Sequence, residues 1–427
     1  MKKSVLILLF LGNIIMAATL QNIKVNGSDI PVIFEEDKRL PIVTMQFIFQ
    51  NSGSIADTAK AGLSKFSSKV MNEGTKKLGS SAFAEELEGK AIHISASTGK
   101  ETFVLEMSSL KDELGTALKY FDMLLKDPNL SEGTIDKVKT TTLGSLAAKE
   151  NDFDYIASNE LKALLFDGSV LANPANGTVS SVKSITLGDV KEFLSKTLVR
   201  SRLIVVVGGD VDVEDIKNRL SGIIGDMPKG KFEEVKNYSV IEVPKETILK
   251  KETQQAYIYF GSPYYIKVDS DDNYKAKVAA FILGSGGFGS RLMEEIRVKK
   301  GLAYSAYAKV NVTKSSSYLS GYLQTKTESM EEAKKIVKEV IEKFVKKGVL
   351  ESELEQTKKF LLGSEPLRVE TMSQRLNRTF MEYYRGQELG HSLKELELIR
   401  DLKLKDINEF IKAHKEILQM SFAIVTK

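Results

Sequence analysis

Part of this chain recurs about 218 residues further on, a distance that matches a domain rather than a solenoid repeat. Residues 187–193 (LGDVKEF) return as residues 404–410 (LKDINEF), and an apolar run suited to a strand follows each copy. Upstream, residues 131–145 correspond to residues 351–364, and both stretches close on Leu-Gly-Ser. Because these landmarks keep the same order, we predict a chain built from two similar domains.

Each half also alternates strand-like and helix-like segments. Residues 41–50 carry a β-rich run, and residues 256–261 are its counterpart in the second half. A helix is predicted from Ser329, where Ser329 and Glu332 fit a capping box, to Gly348. Long helices mixed with hairpin-connected strands, without regular βαβ spacing, predict an α+β fold in which each domain is a mostly antiparallel sheet packed with helices.

The N-terminus has the pattern of a secretory signal peptide. A basic start and a short apolar run lead to small residues at Ala17 and Ala18, where we expect cleavage. The alternative is an uncleaved anchor, but the run is shorter than the about 20 residues that a spanning helix needs. We therefore expect a periplasmic protein without membrane attachment after cleavage. The predicted organisation is a signal peptide at 1–18, an N-terminal domain at 19–228, a linker at 229–246 and a C-terminal domain at 247–427.

Composition argues against several classes of function. Lys and Arg total 61 against 57 Asp and Glu, and a net charge of +4 over 427 residues gives no concentrated field for nucleic acid. No basic run is interleaved with stacking aromatic residues, so nucleic-acid binding is not expected. The chain contains no cysteine, which excludes disulfides, thiolate metal sites and a cysteine nucleophile.

Histidine is equally sparse. The chain has only His93, His391 and His414, and none of them stands within a helical turn of another. A hydrolytic zinc site usually needs two histidines on one face of a helix together with a glutamate, so this chain cannot build that motif. We expect His93 to point away from the core from a strand, and the other two to be surface or helix-end residues.

One segment nevertheless resembles a zinc-binding helix. Residues 61–75 (AGLSKFSSKVMNEGT) resemble that helix in the pitrilysin and mitochondrial-processing-peptidase family, whose members carry an inverted H-x-x-E-H motif between similar Gly-Leu and Gly-Thr pairs. In this sequence Lys65, Ser68 and Lys69 occupy the three functional positions. Two ammonium groups would repel a dication, and a hydroxyl replaces the general-base carboxylate.

The fourth position of that zinc site is also altered. The family's third ligand, a glutamate, would fall near Gly144 or Ser145. The resemblance therefore implies no metal and no cofactor in this chain. For Lys65 and Lys69 two interpretations remain open: a solvated helix face, or contact with substrate carboxylates or carbonyls.

A second resemblance lies in the other half. Residues 284–305 are similar to the family's C-terminal signature, in which an arginine and a tyrosine seven residues later bind the substrate backbone and help to stabilise the oxyanion. Here that pair is Arg297 and Tyr304. A cation and a phenol directed at one carbonyl suit a transition state in which negative charge develops on oxygen.

The signature begins with a glycine-rich stretch. Its Gly-x-Gly-x-x-Gly spacing follows an apparent helix rather than a strand, so it lacks the context of a dinucleotide-binding site. We interpret Gly286, Gly287 and Phe288 as part of a flexible turn that lines the substrate path.

The resemblance covers nearly the whole chain and implies a function. Family members enclose unfolded peptides in a clamshell of four such domains and hold them by strand addition to a sheet edge. Some bacterial members are heterodimers in which one subunit supplies zinc and the other supplies the arginine and tyrosine. The resemblance thus implies a zinc-free subunit that forms half of the clamshell and contributes Arg297 and Tyr304 in trans, with zinc in a homologous partner.

Two alternatives remain open. One is a peptide-binding or chaperone-like homodimer with no proteolytic role. The other is an active metallopeptidase with an unrecognised site.

Overall fold

The computed structural model describes residues 18–57 and 60–427. The predicted signal peptide lies outside the described residues, apart from Ala18. Within the described ranges, no helix has the length and apolar character needed to cross a membrane.

The first half of the chain forms a six-stranded sheet. Its strands are β1 (Thr19–Val25), β2 (Ser28–Glu36), β3 (Ile42–Gln50), β4 (His93–Thr98), β5 (Thr102–Leu110) and β6 (Leu203–Gly209). They lie in the order β1-β2-β6-β3-β5-β4, and every neighbouring pair is antiparallel except β2 with β6. The helices of this half are α1 (Leu63–Met71), α2 (Gly79–Glu88), α3 (Leu114–Lys126), α4 (Glu132–Ala148), α5 (Phe153–Leu165), α6 (Val179–Ser184), α7 (Leu187–Thr197) and α8 (Val213–Asp226).

The second half forms a five-stranded sheet. Its strands are β7 (Glu246–Lys250), β8 (Gln255–Pro263), β9 (Ala303–Val312), β10 (Ser317–Lys326) and β11 (Ser421–Thr426), in the order β7-β11-β8-β10-β9. Its helices are α9 (Asn273–Ala280), α10 (Met330–Lys347), α11 (Glu351–Gly363), α12 (Met372–Tyr384), α13 (His391–Asp401) and α14 (Leu404–Ala413). Residues 281–285 and 293–299 are π-helical, and residues 227–245 hold neither helix nor strand.

The two sheets share one topology. The order β2-β6-β3-β5-β4 corresponds strand by strand to β7-β11-β8-β10-β9, and the parallel pair β2–β6 of the first sheet corresponds to the parallel pair β7–β11 of the second. Both last strands, β6 and β11, are buried along their whole length, as expected for apolar runs in the middle of a sheet. The α+β prediction of two similar, mostly antiparallel domains is confirmed.

The boundaries of α10 show one local error in the sequence prediction. The helix ends at Gly348, as predicted, and this residue has a φ of +68°. At the other end, Ser329 makes no side-chain capping hydrogen bond, so the predicted capping box with Glu332 is wrong. A short 3₁₀ turn, Thr327–Ser329, leads into the helix instead.

The two halves exchange one helix each. Helix α5 belongs to the first half in sequence but packs on β8 and β11 of the second sheet. Helix α12 belongs to the second half but packs on β2 and β6 of the first sheet. We refer to α5 and α12 as the exchanged helices. The apolar face beneath α12 and the residues that cover it are Ile33, Ile48, Ile204, Val206, Leu376, Phe380 and Tyr384.

Polar contacts fix both exchanged helices in place. Arg375 of α12 donates from Nε to Oε1 of the buried Glu35 at 2.8 Å, and its Nη2 lies 3.2 Å from Asp37 Oδ2. Asp154, in the first turn of α5, accepts hydrogen bonds from Tyr259 Oη at 3.0 Å and from Gln324 Nε2 at 2.6 Å. Each half thus holds a helix of the other by apolar burial together with directional bonds.

Candidate functional site

Helix α1, the counterpart of the zinc helix, is anchored at its N-terminus. The Asp57 carboxylate accepts hydrogen bonds from the Gly62 N–H at 2.9 Å and from the Ser64 N–H at 2.7 Å. Asp57 is 2% exposed, and this burial raises its pKa to about 6 although the backbone hydrogen bonds act in the opposite direction. Gly62 has a φ of +85°, and a Cβ there would lie 2.6 Å from the Gly177 nitrogen. The start of α1 is therefore pressed against the start of α6.

The three positions of the missing zinc motif lie together on α1. Lys69 Nζ donates to Thr142 Oγ1 of α4 at 3.0 Å. Burial lowers the pKa of Lys69, and the nearby charge of Lys65 lowers it further. The Ser68 hydroxyl is buried and donates to the Lys65 carbonyl at 2.9 Å. Helix α4 does face α1, as the position of the third ligand requires, but the residue that reaches Lys69 is Thr142.

The predicted third-ligand position, near Gly144 or Ser145, lies on α4, the helix that contacts α1. Gly144 and Ser145 are both exposed on α4. The hydrogen bond between Thr142 and Lys69 shows that this face of α4 lies towards α1.

The residues present do not fit a zinc ion. Lysine ammonium groups and a hydroxyl occupy the positions of the ligands and the base, and they offer no anionic oxygen or imidazole. Across residues 18–57 and 60–427, no group of three or more His, Cys, Asp or Glu residues could hold a metal ion.

The three histidines are spread over separate places. His93 is exposed on β4, and His391 begins α13 with its Nε2 3.6 Å from Glu395. His414 follows α14, stacks on Tyr264 and has its Nδ1 2.7 Å from Glu416.

Helix α1 lies beside an edge of the first sheet. Strand β4 is the last strand of that sheet, and the Asn72 side chain bonds the N–H of Ala96 at 2.6 Å and its carbonyl at 3.0 Å. The Thr98 hydroxyl donates to the Ser64 carbonyl at 3.2 Å. These bonds hold α1 beside the edge strand of the first sheet, and the Asn72 side chain occupies the main-chain N–H and carbonyl of Ala96 there.

Arg297, Tyr304 and Phe288 form one cluster on the second half. The guanidinium carbon of Arg297 lies 4.3 Å from the centroid of the Tyr304 ring and 4.6 Å from that of the Phe288 ring. Tyr304 is 83% exposed and Phe288 is 67% exposed. Among the ion pairs of the described chain, none involves Arg297. The cluster presents an unneutralised cation held between two aromatic rings.

A tight turn brings the arginine and tyrosine together. Arg297 lies on the π-helical segment Met293–Lys299, and its carbonyl accepts the Gly301 N–H at 3.0 Å. Gly301 has a φ of +63°, a conformation typical of the residue that ends a helix. Strand β9 begins at Ala303, so Tyr304 returns alongside the last helical turn.

The glycine-rich stretch is packed more closely than the sequence indicated. A Cβ on Gly284 would lie 2.5 Å from the Ala308 nitrogen, and one on Gly286 would lie 2.8 Å from the Phe281 ring. Gly287 has a φ of +66° and nothing close to it. Two of these glycines therefore permit close packing rather than flexibility, and the turn at Gly287 projects Phe288 towards Arg297.

Fold and site together define a two-domain protein of the zinc-peptidase type in which α1, the counterpart of the zinc-binding helix, carries no metal ligands. The model of insulinase (peptidase family M16) matches residues 32–179, and that of the peptidase M16 inactive domain matches residues 184–361. The chain belongs to peptidase family M16, which confirms the resemblance seen in the sequence.

Known relatives agree with this assignment. The chain is 42% identical to the "non-peptidase homolog YmxG" of Helicobacter pylori, covering 100% of this chain and 99% of the relative. The structure of a peptidase M16 inactive domain from Pseudomonas fluorescens superposes with a TM-score of 0.87 at 22% identity, covering 95% of this chain and 98% of that one. A protease from Helicobacter pylori superposes with a TM-score of 0.82 at 16% identity, covering 96% and 100%. The chain is a non-peptidase homologue within the family.

Proposed function

We propose that this chain is the zinc-free subunit of a periplasmic peptidase complex, that it binds peptide substrates, and that it supplies Arg297 and Tyr304 to a zinc-bearing homologous partner. One observation carries the proposal: the metal chemistry is gone from α1, whereas the half-buried Arg297 and the exposed Tyr304 remain together without an opposing carboxylate. A chain that took no part in catalysis would have no need of this arginine–tyrosine pair.

The physical state of Arg297 supports a role towards another molecule. An arginine whose charge only served folding would be expected to face a carboxylate, as Arg375 faces Glu35. Arg297 instead lies between two rings that orient its guanidinium without neutralising it. A pre-oriented cation beside a phenol stabilises negative charge on a carbonyl oxygen without having to reorganise first.

Substrate binding would use the edge of the first sheet. Strand β4 lies at the end of its sheet next to α1, and His93 and Ser97 are exposed along it. An extended peptide added to this edge would replace the Asn72 side chain at the main-chain groups of Ala96 and would run past the positions of Lys65 and Lys69. Strand addition depends on main-chain hydrogen bonds, so this mode of binding needs no metal.

Two observations support the partner and the compartment. Helicobacter pylori has both the 42% identical non-peptidase homologue and a protease with the same fold. One organism therefore has a protein named a non-peptidase homologue and a protein named a protease with this fold, as a heterodimer of the two kinds would require. The signal-peptide pattern of the first eighteen residues supports export to the periplasm.

The test is reconstitution with the zinc-bearing homologue from the same cell. We expect the mixture to cleave an unfolded peptide and each protein alone to be far less active. Arg297→Ala and Tyr304→Phe should each lower kcat of the mixture by about 10²- to 10³-fold, the effect of losing one oxyanion donor. Arg400→Ala and Tyr265→Phe, two exposed residues of the same types outside the cluster, are the matched controls.

Two results would contradict the proposal. Full activity of the mixture with both cluster variants would remove the in-trans role. A homodimer that binds peptide and does not associate with the homologue, as measured by light scattering, would favour the chaperone-like alternative.

A further inference from the structure

A cavity of about 270 Å³ lies where the two halves of the chain meet. Its walls include Lys65 of α1, Lys100 of the β4–β5 turn and Lys162 of the exchanged helix α5, together with Tyr318 of the second half. Lys65 also occupies the first position of the missing zinc motif. The cavity therefore adjoins the site where the relatives of this chain carry out their chemistry.

The three lysines are not neutralised by the protein around them. In the described part of the chain, none of them lies within ion-pair distance of a carboxylate. Lys100 Nζ donates to the Ser316 hydroxyl at 3.3 Å and lies 5.5 Å from the Tyr318 ring centroid. Burial lowers the pKa of Lys100 and that of Lys162, and the nearby charge of Lys309 acts on both in the same direction.

Two carboxylates lie near the cavity, and each already accepts hydrogen bonds from other groups. Asp57 accepts them from the N–H groups of Gly62 and Ser64. Glu101 raises the pKa of Lys100 from a distance, which opposes the effect of burial. Its Oε1 accepts the Ser315 N–H at 2.7 Å and its Oε2 accepts the Tyr384 hydroxyl at 2.9 Å. The cavity thus keeps an excess of positive charge, which is costly to bury unless an anion completes it.

We propose that this cavity binds a carboxylate of an acidic peptide, and that it gives the chain a preference for peptides with acidic residues near one end. The proposal rests on the proposed peptide-binding function. Thr98 ends strand β4 and also lines the cavity, so a peptide added to that edge would lead into it. A volume of about 270 Å³ is at the lower end of ligand-pocket sizes, which suits a side chain or chain end rather than a whole ligand.

The geometry also explains why lysine suits this position. Three ammonium groups on flexible stems can converge on one carboxylate from α1, from the β4–β5 turn and from α5. Because α5 supplies Lys162 to the wall, the cavity is complete only when α5 is docked on the second sheet.

The test uses the full chain without its signal peptide and two fluorescent peptides that differ in charge. The acidic peptide ends in two glutamates with a free C-terminus, and the neutral peptide ends in two glutamines with an amide. We expect anisotropy titrations to give the acidic peptide about tenfold higher affinity, and the preference to weaken with salt. In a Lys100→Met, Lys162→Met double variant, the acidic peptide should bind only as well as the neutral one.

Controls separate this proposal from the proposed function. Lys405→Met changes an exposed lysine on α14 and should keep the preference. Thermal melting should show that the double variant folds, because it removes half-buried, unpaired charge. If both peptides bind equally to the wild type, the carboxylate site is wrong while peptide binding stands.

Two further outcomes are informative. If neither peptide binds, the carboxylate site and the proposed peptide binding fail together. If inorganic phosphate binds to the wild type in a lysine-dependent way but the two peptides bind alike, the cavity is a site for a free anion and its assignment to a peptide is overturned.

Discussion

Gly62 and Gly177 are widely separated in sequence yet lie in direct contact. Each has a positive φ, and a Cβ on either would lie 2.6 Å from backbone atoms of the other segment. The sequence marks Gly62 as part of the segment that resembles a zinc helix, but only the structure shows that it contacts Gly177. Their role is to let the N-termini of α1 and α6 approach each other.

This contact predicts the effect of adding a single methyl group. Gly62→Ala and Gly177→Ala should each lower the free energy of unfolding by about 2 kcal/mol or more, because strain from the positive φ adds to the steric clash. Gly144→Ala is the matched control, since this helical glycine is exposed and has nothing within 4 Å. It should be neutral or stabilise the protein by up to about 1 kcal/mol in urea unfolding.

The buried Asp57 predicts a pH dependence. Its pKa is raised from 3.8 to about 6 in the folded state, so the folded protein binds this proton more tightly than the unfolded chain does. The contribution of Asp57 to stability should be fully present below about pH 4 and should be lost as the pH rises through about 6. Urea unfolding should show this trend for the wild type relative to Asp57→Asn, and equal pH profiles would contradict it.

Residues of the site differ in how far the sequence could reveal them. Arg297, Tyr304 and Phe288 lie within seventeen residues of one another, and a local motif was enough to select them. Thr142, Lys100 and Lys162 were missed because their importance arises from contacts between distant segments. No spacing in the sequence signals that an α4 threonine meets Lys69 or that an α5 lysine meets a turn of the first sheet.

At the level of elements, α12 depends on an ion pair across the two halves. Glu35 is 2% exposed and faces Arg375, so Arg375→Met would leave a buried carboxylate without its partner. We expect a loss of about 3 kcal/mol in the free energy of unfolding and faster hydrogen exchange in residues 372–384. Adding Glu35→Gln should recover much of the loss, and additive effects of the two changes would argue against direct coupling.

Elements with local signals were predicted well. Alternation of apolar residues located β3 and β8, and the glycine at position 348 located the end of α10. The π-helical turn that carries Arg297 was not predicted, because tertiary packing rather than local propensity selects that geometry. The capping box failed for a related reason: a 3₁₀ turn takes its place before α10.

For the whole molecule, the exchanged helices bind two sheets into one unit. The internal repeat predicted two similar domains, and each has its own sheet and main core. It did not predict that α5 and α12 would each cover the other sheet, because a sequence repeat carries no information about which copy a helix contacts. The exchange therefore makes the stability of each half depend on the other.

A divided chain should show this dependence. We expect residues 19–242 and residues 243–427, produced separately, to aggregate or to lack cooperative unfolding, since each fragment exposes the apolar face that its missing helix covers. Produced together, they should associate into a complex with native-like circular dichroism and a single thermal transition. Two fragments that each unfold cooperatively alone would contradict the interlocked arrangement.

The exchange also sets an order of events during synthesis. The ribosome completes β6 long before it reaches α12. During that interval the sheet face at Ile33, Ile48, Ile204 and Val206 lacks the helix that covers it in the folded protein. At a rate of synthesis of about 5 to 20 residues per second, this interval lasts roughly ten to thirty seconds. A nascent chain of this design packs one face of its first sheet with helices of its own half and cannot bury the other face until α12 has been made.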